Sequence, residues 1–145
     1  GVTLKKENDC VKAIVIADPD STLLIAGEHG QGKRTSYDEY RLQNRGGSGI
    51  IAIKTSGVAG ALSVKEDDEI MMFTQGGQAV RSPVKDIRVI GRSTQGVRLI
   101  NLADGDTLIG ICRVVNTKDE EIASEQAEGA QGDTATASDS TPGQQ

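Results

Sequence analysis

Aromatic residues are almost absent, with two tyrosines, one phenylalanine and no tryptophan in 145 residues. Tyr37, Tyr40 and Phe73 cannot build a stacking platform, which argues against unpaired bases as a ligand. The only histidine, His29, lies in a glycine-rich stretch and reads as a turn residue, so a nucleophile-histidine-carboxylate triad has no support. The two cysteines, Cys10 and Cys112, sit in the apolar runs CVKAIVIA and LIGICRVV without CxxC spacing. They read as two buried thiols in a reducing cytoplasm, not as a disulfide or a metal pair. No apolar run approaches the ~20 residues needed to cross a bilayer, and no signal-like segment follows Gly1, so no membrane role is expected. Without an initiator methionine, the chain reads as a fragment of something larger.

Charge of one sign is also unevenly spread. The formal net charge is −5, which alone would argue against a polyanionic partner. From 116 to 145, however, one base, Lys118, stands against seven acids, leaving 15 basic and 14 acidic residues before it. The folded part is therefore about neutral, and the acidity belongs to a polar tail expected to be disordered.

What is present is a repeat. Thr22 to Thr55 matches Glu69 to Leu102 without a gap at an offset of 47 residues. Identities fall at Gly30/Gly77, Gln31/Gln78, Arg34/Arg81, Arg41/Arg88, Arg45/Arg92, Gly49/Gly96 and Ile53/Ile100. Hydrophobic phase is kept as well, as in Leu24/Met71, Tyr40/Ile87 and Leu42/Val89. The apolar runs CVKAIVIA, TLLIA, IIAIK, VAGALSV, EIMMFT, DIRVI, VRLINL and LIGICRVV are short, β-branched and bounded by turn residues, which predicts strands. ADPDST, KEDDE and ADGD predict tight turns. SYDEYRLQ fits either a short turn of helix or an extended strand. A period in the 40 to 50 range with about four short strands is that of a propeller-like blade, which needs neighbours on both faces. The expected all-β organisation is the end of a preceding blade over 1–9, a blade repeat over 10–56, a last blade repeat with closing strand over 57–115, and the tail over 116–145.

Two motifs suggest chemistry and fail on inspection. Gly27 to Lys33 has the GxxxxGK spacing of a phosphate loop, but Arg34 stands where a magnesium-binding Ser or Thr belongs, and the second copy has no lysine. The carboxylates at Asp18/Asp20, Asp67/Asp68/Glu69 and Asp104/Asp106 all fall at predicted turns and read as solvated acids, not as a metal or acid-base pair. No catalytic, cofactor-binding or metal-binding residues are expected. The basic set remains: Arg34, Arg41 and Arg45 recur in phase as Arg81, Arg88 and Arg92, with Lys33, Lys54, Lys85 and Arg98 nearby. In a radial array, equivalent positions share one rim, and guanidinium groups along a rim suit phosphates. Ordinary surface charge, or a scaffold for acidic proteins, fits the same pattern.

The segments YRLQNRGGSGIIAIKT and IMMFTQGGQAVRSPVKDIRVIGRSTQGVRLINLADGDTLIGICRVV resemble the C-terminal end of the A subunit of bacterial DNA gyrase, from Gly1 to about Asp119. The resemblance implies a β-pinwheel, usually of six blades, of which this chain would be the last two. It also implies sequence-independent binding and wrapping of duplex DNA in support of ATP-dependent negative supercoiling. The implied partners are duplex DNA, the rest of the same gyrase polypeptide and, in an A2B2 enzyme of the bacterial cytoplasm, the gyrase B subunit. ATP and magnesium would act in other parts of that enzyme, and the catalytic tyrosine would lie outside this segment. The family's Gln-Arg-Arg-Gly-Gly-Lys-Gly box belongs to its first blade. The copy at Gln43 to Gly49 puts Asn44 and Ser48 at two of its basic positions. A DNA-contacting turn carries over to Arg45, and by the repeat to Arg92. Lys33, Arg34, Arg41, Arg81, Lys85 and Arg88 complete the expected DNA-binding set. The A-type subunit of topoisomerase IV is the nearest alternative.

Overall fold

The computed structural model describes residues 2–115. The acidic stretch over 116–145, expected to be disordered, lies outside the described residues. Seven strands and two short 3-10 turns follow in order: β1 (Thr22–Gly27), β2 (Gln31–Ser36), the turn Tyr37–Glu39, β3 (Val58–Val64), β4 (Glu69–Thr74), β5 (Ala79–Pro83), the turn Val84–Asp86, β6 (Val97–Arg98) and β7 (Leu108–Val114). SYDEYRLQ thus supplies a 3-10 turn, entered through Ser36, whose hydroxyl accepts from the Asp38 amide.

The strands form two antiparallel sheets, ordered β3-β1-β2-β6 and β5-β4-β7. The repeat is visible in three dimensions. β1 and β4 hold the same place in each sheet, and both pair with their third strand through an irregularity at equivalent residues, Ala26/Gly27 and Phe73/Thr74. β1 has a strand on each side and is buried from Leu23 to Gly27, as expected for a continuous apolar run. β4 instead alternates, burying Ile70, Met72 and Thr74 and exposing Phe73. Leu24, Val64, Ile70, Met72, Val84, Ile87, Ile100 and Leu108 form one core drawn from both repeats. Each large side chain removed from water there contributes about 1.5–3 kcal/mol.

Several expectations change. Sheet membership crosses the expected boundary at residue 57, because β3 pairs with β1 and the two-residue β6 pairs with β2. CVKAIVIA and IIAIK join no ladder among the described residues, and Ile14, Ile16 and Ile51 are exposed. DIRVI contributes only a single parallel bridge, Val89 to Arg34. An apolar run becomes a strand only where a sheet edge is offered to it. Conversely, the polar segments QGKRTS and AVRSP are strands that hydrophobicity did not announce. Cys10 and Cys112 are both exposed free thiols, contrary to the expected burial, because the first lies outside any sheet and the second on the outward face of β7. The turn acids have local work. Asp18 accepts from the Asp20 amide and the Ser21 hydroxyl, and Asp106 accepts from the Gly76 and Thr107 amides. Hydrogen bonds from Thr74, then Gly76, hold the Asp106 carboxyl below its usual range.

Candidate functional site

The GxxxxGK stretch is a hairpin followed by a strand. Gly27 to Gly30 makes the turn, and Gly32 and Lys33 lie within β2, so no helix N-terminus faces a phosphate. His29 sits in that turn, with its Nε2 2.7 Å from the Ser56 hydroxyl.

The eight residues expected on one rim separate into two sets. Lys33 and Arg34 are each only 3% exposed. The Arg34 guanidinium donates to the Val84 and Ile87 carbonyls at 3.3 and 3.0 Å, to Thr22 Oγ1 at 2.7 Å and to the Glu66 carboxylate at 2.6 Å. It closes the 3-10 turn of the second repeat onto the first sheet, and its charge is spent there. Expectation placed it on an outer rim; the structure places it at the junction between repeats, because β6 and the segment around Val89 cover β2. Lys33 likewise points inward, donating to the Arg92 carbonyl at 2.6 Å and the Ala52 carbonyl at 3.3 Å. Burial, then the like charges of Arg92 and Lys54, hold its pKa below the usual 10.5. Arg81, the repeat equivalent of Arg34, is exposed and paired with Glu69. Glu69 stands where Thr22 stands in the first repeat. Thr22 and Glu69 each lie diagonally across the hairpin from their arginine, so this pairing follows from strand register.

Arg41, Arg45, Lys85 and Arg88 form the second set. All four are exposed and join no ion pair among the described residues. Arg41 and Arg88 come two residues after the 3-10 turns Tyr37–Glu39 and Val84–Asp86, so each repeat presents one at the same place. The loop from Arg41 to Gly47 surrounds an open concavity of ≈480 Å³. Gly46 permits its bend with a φ of 79°, and Thr3 pins it through hydrogen bonds to the Gly46 and Gly47 carbonyls.

Arg92, equivalent to Arg45, lies between these sets. It is half-buried, donating from Nη1 to the Ile51 carbonyl at 2.8 Å and from its amide to Glu39 at 3.2 Å, while its buried Nε has no partner. The loop of the second repeat is thereby folded onto the first. Beside it, Gln31, Lys54, Thr55, Ser93, Thr94 and Gly96 line a cavity of ≈270 Å³. Lys54 supplies cationic charge at this cavity and the Ser93 hydroxyl a donor, while the Thr55 and Thr94 hydroxyls donate to the Gly57 and Gly91 carbonyls. Pinning residues such as Thr3 and Glu39 were not legible in the sequence, because they act across loops. Among the described residues, no group of three or more His, Cys, Asp or Glu is placed to hold a metal ion. No helix among them is long and apolar enough to cross a membrane.

The model of the DNA gyrase C-terminal domain, a β-propeller, matches residues 21–70 and 68–111, one match for each repeat. The DNA gyrase A subunit of Mycolicibacterium smegmatis is 43% identical over 133 residues, covering 89% of this chain and 15% of that protein. Its Escherichia coli K12 counterpart is 40% identical over 119 residues, covering 79% and 14%. The chain therefore spans about one seventh of the length of these curated relatives. A solved DNA gyrase A C-terminal domain superposes with a TM-score of 0.63 at 27% identity, over 68% of this chain and 35% of that one. The C-terminal domain of a DNA topoisomerase IV shares the fold, with a TM-score of 0.67 at 19% identity over 79% of this chain and 37% of that one. Two matched repeats, two sheets of equivalent strands and the gyrase relatives agree: the chain belongs to the DNA gyrase C-terminal β-propeller family.

Proposed function

We propose that this chain contributes two adjacent segments of a sequence-independent track for duplex DNA, on the C-terminal part of a gyrase A subunit. The observation that carries the reading is the sorting of the arginines. Arg34 is buried at the repeat junction, Arg92 is half-buried there and Arg81 is ion-paired, whereas Arg41 and Arg88 recur after the 3-10 turns and Arg45 follows on the loop of the first, all three exposed and joined to no carboxylate among the described residues. Lys85 and the Lys54 cavity extend the track. Phosphate contacts of this kind position a duplex without reading its bases. Distributed over successive repeats, they offset the several kcal/mol needed to bend a stiff duplex. The assembly partners on this reading are the remainder of the same gyrase polypeptide together with the gyrase B subunit. The setting is the bacterial cytoplasm, with ATP and magnesium used elsewhere in that enzyme.

The test is the salt dependence of duplex binding. Four to six phosphate contacts give a slope of log K on log salt of roughly −4 to −5. The triple variant Arg41→Ala, Arg45→Ala, Arg88→Ala should flatten it by about 3 units. An unchanged slope in the variant would remove these residues from any DNA track. Residual writhe in plasmid relaxed by a topoisomerase in the presence of the intact domain then separates wrapping from simple binding.

A further inference from the structure

The recess beside Arg92 belongs to the junction of the two repeats and is built from both. Gln31 and the segment from Ile53 to Thr55 supply one wall, and Ser93 to Gly96 supply the other. Gly96 lets the second wall come close, since a Cβ there would stand 2.7 Å from the Gly32 carbonyl oxygen. Three cations meet around this recess. Lys54 lines it and is exposed. Lys33, on the same face of β2 as Gln31, is buried behind the walls. Its ammonium ties them together, donating to the Ala52 carbonyl on one side and the Arg92 carbonyl on the other. Arg92 completes the set, with a buried Nε that has no partner.

Nothing among the described residues balances this charge. Lys33, Lys54 and Arg92 form no ion pair there, and no carboxylate lines the recess. Glu39 accepts from the Arg92 amide, not from its guanidinium. An ammonium buried beside like charges is costly until a counter-charge is brought to it, and the depressed pKa of Lys33 has the same origin. Lys33 uses two of its three donors on carbonyls. With the Thr55 and Thr94 hydroxyls committed to carbonyls, the donors left in the walls are the Lys54 ammonium, the Ser93 hydroxyl and the side-chain amides of Gln31 and Gln95. The second copy of the repeat has Val80 and Asn101 where Lys33 and Lys54 stand. The cluster is therefore particular to this junction and is not a periodic feature of the rim.

We propose that this recess is an oxyanion site that seats one phosphate group, held by Lys54, Ser93 and the two glutamine amides over the charges of Lys33 and Arg92, and that its occupation clamps the two repeats together. Charge-assisted hydrogen bonds of this kind are short and strong. Because the donors come from both repeats, a bound phosphate favours the folded junction and stabilises it by mass action. The phosphate group belongs either to free phosphate or to a duplex backbone. The second source rests on the DNA-track reading, and the first does not.

Urea unfolding of the full chain in inorganic phosphate and in chloride at equal ionic strength tests this without DNA. At about ten times its dissociation constant, phosphate should raise the folding equilibrium constant about tenfold over chloride. Lys54→Gln, at an exposed side chain, should lose most of that gain, and Lys54→Arg should keep it. The general salting effect of phosphate is common to all three proteins and cancels in the comparison. Equal stability in the two salts, or an equal gain in wild type and Lys54→Gln, would overturn the proposal. Duplex binding then separates the sources. If backbone phosphate takes the site, inorganic phosphate should weaken duplex binding to the wild type more than chloride does, and Lys54→Gln should flatten the salt slope by about 1. A gain in stability with duplex binding indifferent to Lys54 assigns the site to free phosphate. A gain retained in a chain that binds no duplex upholds the site and overturns the track reading alone.

Discussion

Lys33 and Arg34 are adjacent on β2, and both are buried cations, yet their surroundings differ. Arg34 meets a carboxylate and three neutral oxygens, so its charge is compensated. Lys33 meets two carbonyls and two like charges. Replacing Arg34 by Met should cost about 2–3 kcal/mol, since the Ile87 carbonyl loses its side-chain donor, the Val84 carbonyl keeps only the Ile87 amide, and Thr22 and Glu66 lose theirs. The same change at exposed Arg81 should cost less than about 1 kcal/mol. Urea unfolding of the two variants compares them directly. For Lys33 the sign follows from its depressed folded pKa. Just below the unfolded value of 10.5, the unfolded chain holds more protons than the folded one, so stability rises with pH through that window and levels off above 10.5. Urea midpoints measured across the window should climb in the wild type and climb less in Lys33→Met.

At the scale of elements, the hairpins show why equivalent turn glycines are not equally constrained. Gly30 and Gly77 both have left-handed backbones, with φ of 81° and 89°. A Cβ at Gly30 would stand 2.8 Å from the Ile100 carbonyl, whereas one at Gly77 meets nothing within 4 Å. Gly77→Ala should therefore cost only the left-handed penalty of about 1–2 kcal/mol. Gly30→Ala adds a backbone clash and should cost visibly more in the same unfolding assay. The strands were legible where apolar residues run between turn signals, as in TLLIA, VAGALSV and EIMMFT. β2 and β5 were not, because their polar side chains carry no burial signal and the neighbouring strand alone makes them extended. IIAIK fails in the opposite sense, as an apolar run that joins no sheet among the described residues.

For the whole molecule, charge is partitioned along the chain. The stretch over 116–145 carries seven acids and one base, while Gly1 to Val115 is about neutral. On the DNA-track reading, those carboxylates compete with phosphates for the same arginines. Deleting residues 121–145 should then tighten duplex binding at low salt and change it little at high salt, where charges are screened. Binding isotherms at two salt concentrations check this, and equal affinities at low salt would leave the acids without a role in DNA binding.

The sequence by itself determined the repeat, its offset, the all-β class, the turns and the family, because these rest on local residue chemistry and on self-similarity. It also singled out Arg41, Arg45 and Arg88, which the structure leaves exposed. Only the tertiary structure decided that Arg34 staples two repeats while Arg81, in the same motif, stays at the surface. The reason is physical. Whether a strand residue is buried depends on what covers its sheet edge, and β6, which covers β2, arrives from more than sixty residues away in the chain.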